Sequence, residues 1–120
     1  MRVAARGASH ADHDEILVTL TIDPSYHVNA NPASADYLVP TVVIIPSAPD
    51  AKITYPPGQV FKPKFSPEGI SVYQGSVAIK AELSKGRLAS AASVPLRIEV
   101  QACTAQICLP PTTLTESISQ

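Results

Sequence analysis

Tryptophan is absent from this chain of 120 residues, and cysteine and phenylalanine occur only twice each. Without Trp, the Cys…Trp…Cys spacing of antibody domains is excluded. No run of 18 apolar residues occurs, so nothing reads as a membrane-spanning helix. An excess of charge is missing too. Nine Lys and Arg against ten Asp and Glu give a net charge of −1, leaving no electrostatic case for nucleic acid or an anionic membrane surface. The first ten residues, Met-Arg-Val-Ala-Ala-Arg-Gly-Ala-Ser-His, lack the apolar stretch of a signal peptide, and Met1 is read as standing in place of a removed one. Long uninterrupted helical stretches are also lacking, because 12 prolines, about twice the average usage, break the chain.

What is present is alternation. Ile16, Val18, Leu20 and Ile22 fall on one face of a half-buried strand over Glu15–Asp23, and Thr19 and Thr21 on the other. Asp23-Pro24-Ser25 turns the chain, Tyr26–Asn29 resumes an extended path, and 30–36 is loop. Tyr37–Ile45 reads as a long strand broken at Pro40, which implies an edge or a bulge. Lys52–Tyr55 is a short strand. The segment 60–69 holds both phenylalanines, two prolines and two lysines without a clean period, and is expected as loop. Ile70–Leu83 is strand-rich with a kink at Gln74-Gly75, and Ser84–Ser93 is a loop of small residues. The tally is about eight short strands and no helix, which predicts an all-β fold, an antiparallel β-sandwich of immunoglobulin-like type. One domain is expected over 15–120, behind a flexible N-terminal arm over 1–14. In that arm His10 and His13 have a His-x-x-His spacing. The spacing suits ligands on a helix and no helix is signalled, so the reading is a solvated tail and no metal site.

The chemistry concentrates in Val100–Thr113, where Cys103 and Cys108 stand with four residues between them. Val94, Leu96, Ile98 and Val100 alternate into this stretch, and Thr112, Thr113, Leu114 and Thr115 lead out. That reads as a hairpin with a cysteine at each end of its loop. Facing Cα atoms in such a ladder lie roughly 4.5 to 5.5 Å apart, within the span a disulfide can bridge. A bridge closing so short a loop stabilises little, about 2 kcal/mol, against about 4.7 for a loop of about 100 residues. From spacing alone, a structural bridge and a redox-active pair both remain open. A metal site recedes because the three histidines lie far back in the chain. His27 and Asn29 share a strand face and read either as a satisfied polar edge or as a wall of the site.

Gln101-Ala102-Cys103, the short loop, and Cys108-Leu109-Pro110-Pro111-Thr112 resemble the N-terminal domain of the thiol:disulfide interchange protein DsbD family. Tyr26-His27-Val28-Asn29-Ala30-Asn31-Pro32 is similar to the family's early strand and loop, and Phe65 through Tyr73-Gln74-Gly75 to its cap loop and following strand. The resemblance spans roughly 15–118. It implies an immunoglobulin-like sandwich in the bacterial periplasm, without a cofactor. It implies electrons taken from the thioredoxin-like domain of the same transporter and passed to thioredoxin-like or disulfide-isomerase proteins, including those of cytochrome c maturation. In the pair, Cys108 would join the partner and Cys103 resolve the mixed disulfide. Phe65, or else Phe61, would shield the pair, and the ammonium of Lys64, if near Cys108, would favour its thiolate. The competing expectation is a non-catalytic binding module whose bridge only fixes a hairpin.

Overall fold

Alternation decides where the core lies. In the computed structural model, which describes residues 1–64 and 66–119, strand β2 (His13–Thr21) buries every second side chain from Asp14 to Leu20. Strand β8 (Ser76–Ser84) does the same with Ile79, Ala81 and Leu83. Strand β9 (Ser93–Val100) does so with Val94, Leu96, Ile98 and Val100. These side chains, with Val28, Val43, Tyr73 and Ile118, form one buried cluster between the sheets.

The remaining strands are β1 (Arg2–Ser9), β3 (His27–Asn29), β4 (Val42–Ile44), β5 (Lys52–Thr54), β6 (Gln59–Phe61), β7 (Ile70–Tyr73), β10 (Ala102–Cys103) and β11 (Thr112–Ser119). Three sheets result, in the orders β1-β2-β8-β5, β10-β3-β7-β6 and β11-β9-β4. Every strand ladder is antiparallel, and no helix occurs among the described residues. The architecture is an immunoglobulin-like β-sandwich. It is elongated, 49 × 21 × 21 Å.

The kink at Gln74-Gly75 separates β7 from β8. Gly75 has φ +70° there, a left-handed conformation that costs glycine little, and its carbonyl accepts the Ile22 amide at 2.7 Å. That bond closes the far end of β2 against the start of β8.

Three expectations are corrected. Residues 2–9 are not a loose arm but an edge strand, paired with β2 from Arg2↔Thr21 to Ser9↔Asp14. Met1, Val3 and Ala5 pack on the main core, and the α-amino group meets Asp23 Oδ1 at 3.0 Å. The alternation is present but carried mostly by alanine and glycine, too weak to read as a strand. Second, the strand expected over Tyr37–Ile45 survives only as Val42–Ile44. Pro40, which has no N–H to donate, makes an isolated bridge to Asn29, and the residues before it turn away. Third, Val60 and Phe61 lie in the segment 60–69 expected as loop, yet with Gln59 they form β6, pairing Phe61↔Ile70. A three-residue edge strand is too short to show a period.

Strand β6 can approach β7 because Gly58 has no side chain. A Cβ there would clash with the Ser71 hydroxyl and lie 2.8 Å from Ala30 Cβ and 3.0 Å from the Val72 carbonyl oxygen. Gly58→Ala is therefore expected to destabilise the domain by about 1–3 kcal/mol. Urea denaturation should show a lower midpoint with an unchanged slope.

Candidate functional site

The small sheet β10-β3-β7-β6 carries the site. Register sorts its side chains onto two faces, since residues directly opposite share a face and neighbours along a strand alternate. Ala102, Val28 and Tyr73 point into the main core. Cys103 with His27, Asn29 with Val72, and Ile70 with Phe61 share the other face. That face is covered by a second apolar cluster of Leu38, Ile70 and Val72, with Ala33, Ala35 and Phe61 packed against it. Asn29 clasps the covering loop. Its side-chain amide donates to the Val39 carbonyl at 3.0 Å, and its own carbonyl accepts the Thr41 hydroxyl at 2.7 Å.

The hairpin of β9 and β11 delivers the cysteines to this sheet. The two strands pair from Ser93↔Ser119 to Val100↔Thr112. Past Val100 the chain leaves β11 and adds Ala102–Cys103 to the edge of β3. It then turns back through Ala105-Gln106. Thr104 builds that turn: its amide donates to the Ile107 carbonyl at 2.7 Å, and its hydroxyl accepts the amides of Gln106 and Ile107, each at 3.1 Å. The Leu109 amide donates to the Ala102 carbonyl at 2.8 Å. Cys103 and Cys108 therefore face each other at a non-hydrogen-bonded position, the closer pair type in an antiparallel ladder. Their Cα atoms are 4.0 Å apart and their sulfurs are joined. The intramolecular disulfide expected from the hairpin is present.

The two halves of this bridge differ. Cys103 is buried, 3% exposed, within β10. Cys108 is exposed, between Ile107 at 59% and Leu109 at 40% exposure. Pro110 and Pro111 follow, and neither has an amide with which to pair the return chain before Thr112. One sulfur is thus anchored in a sheet, and the other stands on a rim with two apolar side chains. The sequence reading missed Ile107 and Leu109. Two large aliphatic residues in a loop beside a cysteine were the available signal.

His27 stands directly opposite Cys103 and is buried. The Phe61 ring lies against its imidazole, centroids 4.3 Å apart and planes inclined at 43°. Burial holds the His27 pKa below 6.5, so the ring is neutral near pH 7. Of the expected shielding residues, Phe61 thus contacts His27, and Lys64 is exposed. Phe65 lies outside the described residues. Asn29 is buried beneath the covering loop rather than lining an open wall. Two surface depressions of about 380 and 390 Å³ are lined by Pro46, Pro95 and Arg97 and by Arg6, Leu88 and Ser117, away from the cysteines.

The structure thus presents a β-sandwich domain without a thioredoxin fold, carrying a disulfide anchored at Cys103 and open at Cys108. The sequence profile of the family described as thiol:disulfide interchange protein DsbD, N-terminal, matches residues 2–120, and the chain belongs to that family. Among solved structures, the N-terminal periplasmic domain of ScsB from Proteus mirabilis superposes with TM-score 0.70 at 15% identity, over 98% of this chain and 44% of that one. This chain thus spans less than half of that protein. The Neisseria meningitidis DsbD N-terminal domain in the reduced form superposes with TM-score 0.58 at 17% identity, over 95% of this chain and 82% of that one. At such identities the two likenesses establish the fold. No curated protein sequence matches.

Two outcomes follow from the geometry. In the reduced protein, substoichiometric iodoacetamide should modify Cys108 at least about tenfold faster than Cys103, because an accessible thiolate reacts first. Peptide mass mapping reads the ratio. The second concerns pH. Because the folded His27 pKa lies below 6.5, the unfolded chain binds more protons in the window between the two values. Stability should therefore fall as pH drops from about 6.5 through that window, and His27→Gln should flatten the decline in denaturation midpoints taken at successive pH values.

Proposed function

We propose that this domain relays electron pairs in the periplasm between thioredoxin-like proteins, with Cys108 as the sulfur that joins the partner and Cys103 as the resolving thiol. The observation that carries the reading is the asymmetry of the bridge, buried at Cys103 and exposed at Cys108. In loading, a donor thiolate attacks Cys108 Sγ, the bridge breaks, and Cys103 leaves as a thiolate. The donor's second thiol then attacks its own sulfur in the mixed disulfide and releases Cys108. The domain gains two electrons and two protons, and the donor closes its disulfide. In unloading, the Cys108 thiolate attacks an acceptor disulfide. Cys103 then attacks Cys108 Sγ, re-forms the bridge, and frees the acceptor as a dithiol. The donor fits the thioredoxin-like domain of the same transporter. The acceptors fit periplasmic thioredoxin-like and disulfide-isomerase proteins.

Among the described residues no helix N-terminus is present to acidify either thiol, and the imidazole facing Cys103 is neutral. The pair is therefore slow until a partner docks on the apolar rim of Ile107 and Leu109 and completes the environment. Between partners, Phe61, packed on the His27 imidazole opposite Cys103, shields the buried side of the pair from competing thiols.

Trapping tests the roles. Cys103→Ser should accumulate mixed disulfides with thioredoxin-like proteins through Cys108, and Cys108→Ser should trap far less. Equal trapping would reverse the assignment. Replacing both by serine should lower stability by no more than about 2 kcal/mol, the value of so short a loop. The potential of the wild-type pair should lie above about −300 mV, whereas a structural bridge would lie below it.

A further inference from the structure

The turn joining β1 to β2 gathers a second cluster of side chains, remote from the cysteines. His13 opens β2, and the other end of that strand, about 27 Å away, leads to β3 and the disulfide. The turn is closed by the His10 amide on the His13 carbonyl at 2.8 Å. It stacks the two imidazoles with centroids 4.7 Å apart and planes inclined at 19°. One ligand atom from each of His10, His13 and Glu15 lies within 4.8 Å of the others. His10 Nε2 is 3.4 Å from Glu15 Oε2, and His13 Nε2 is 3.7 Å from Glu82 Oε1. Ligands held about 2.0–2.1 Å from a tetrahedral ion stand about 3.3 Å from each other, so both pairs are close to a coordination edge.

Two independent features point the same way. His13 Nδ1 lies 2.7 Å from Asp12 Oδ1, and a proton held between them leaves Nε2 as the free lone pair, facing Glu82. A carboxylate on the outer nitrogen of a histidine is the usual support of a metal-binding imidazole. Glu15 and Glu82 also stand directly opposite each other in the β2–β8 ladder, a like-charge pairing that positive charge at the adjoining imidazoles, or a cation bound by them, relieves. Lys52 is in register on the other side of Glu82, yet makes no ion pair with it among the described residues. Lys85 is turned to the His10 carbonyl and to Asp14.

We infer that this turn is a zinc-type divalent transition-metal site, with His10, His13 and Glu15 as ligands, Glu82 beside His13 at its margin, and Asp12 as a positioning residue. The sequence reading took His10 and His13 as a solvated tail; a hairpin turn, not a helix, brings them together. The bound ion would pin the edge strand β1 to β2 and β8. The inference is independent of the redox reading.

The test is calorimetric titration of tag-free, disulfide-intact protein with zinc chloride. One ion per chain is expected. His10→Ala and His13→Ala should each weaken binding at least about tenfold, and Asp12→Asn about 10–100-fold at unchanged stoichiometry. The protein with both cysteines replaced by serine should bind as the wild type does. In wild-type protein, zinc should shift the imidazole proton resonances of His10 and His13 and leave those of His27 in place, a readout that needs no variant. Absence of binding, equal binding by a protein lacking both His10 and His13, or a shifted His27 resonance with the other two unmoved would overturn the site.

Discussion

A backbone switch governs the functional end of this molecule. The chain leaves the β9–β11 ladder after Val100 and adds Ala102–Cys103 to the edge of β3. One cysteine is thereby pinned by sheet pairing next to His27. The other sits on the returning segment, whose pairing stops after the Leu109 amide because Pro110 and Pro111 lack amide protons. Both an exposed cysteine and a buried one follow from this single crossing. Neither follows from the short bridge itself, which stabilises little.

The sheet that receives the crossing has two buried faces, which is unusual for an antiparallel sheet at the end of a sandwich. Its inner face joins the main core through Val28 and Tyr73. Its outer face is roofed by the loop carrying Leu38, Ala33 and Ala35, held down by Asn29. Phe61, on the outer face of β6, packs under that roof and also contacts His27. The packing of the roof and the surroundings of Cys103 are therefore mechanically linked. With a neutral imidazole opposite Cys103 and no helix among the described residues, this fold supplies neither of the usual means of lowering a thiol's pKa there.

Local patterns made much of this readable. Strict alternation in Ile16–Ile22 and Val94–Val100 marks strands because a side-chain period of two is a property of the strand itself. Weak patterns failed where side chains were small or segments short. Ala4, Ala5, Gly7 and Ala8 hid β1, and Gln59–Phe61 was too brief to separate from loop. The breaker at Pro40 was seen, but not that it would end the strand outright instead of bulging it.

The sequence by itself determined that the chain is an all-β sandwich and that its two cysteines can meet, since the hairpin joining them is local and its register follows from alternation. It also supplied the residue pattern by which the chain resembles its family. Only the tertiary structure decided which sulfur faces solvent, that His27 confronts Cys103, and that Glu82 lies opposite Glu15 and beside His13. Each of these depends on which strand lies beside which. That choice is made by burying apolar faces between segments far apart in the chain, and no local period encodes it.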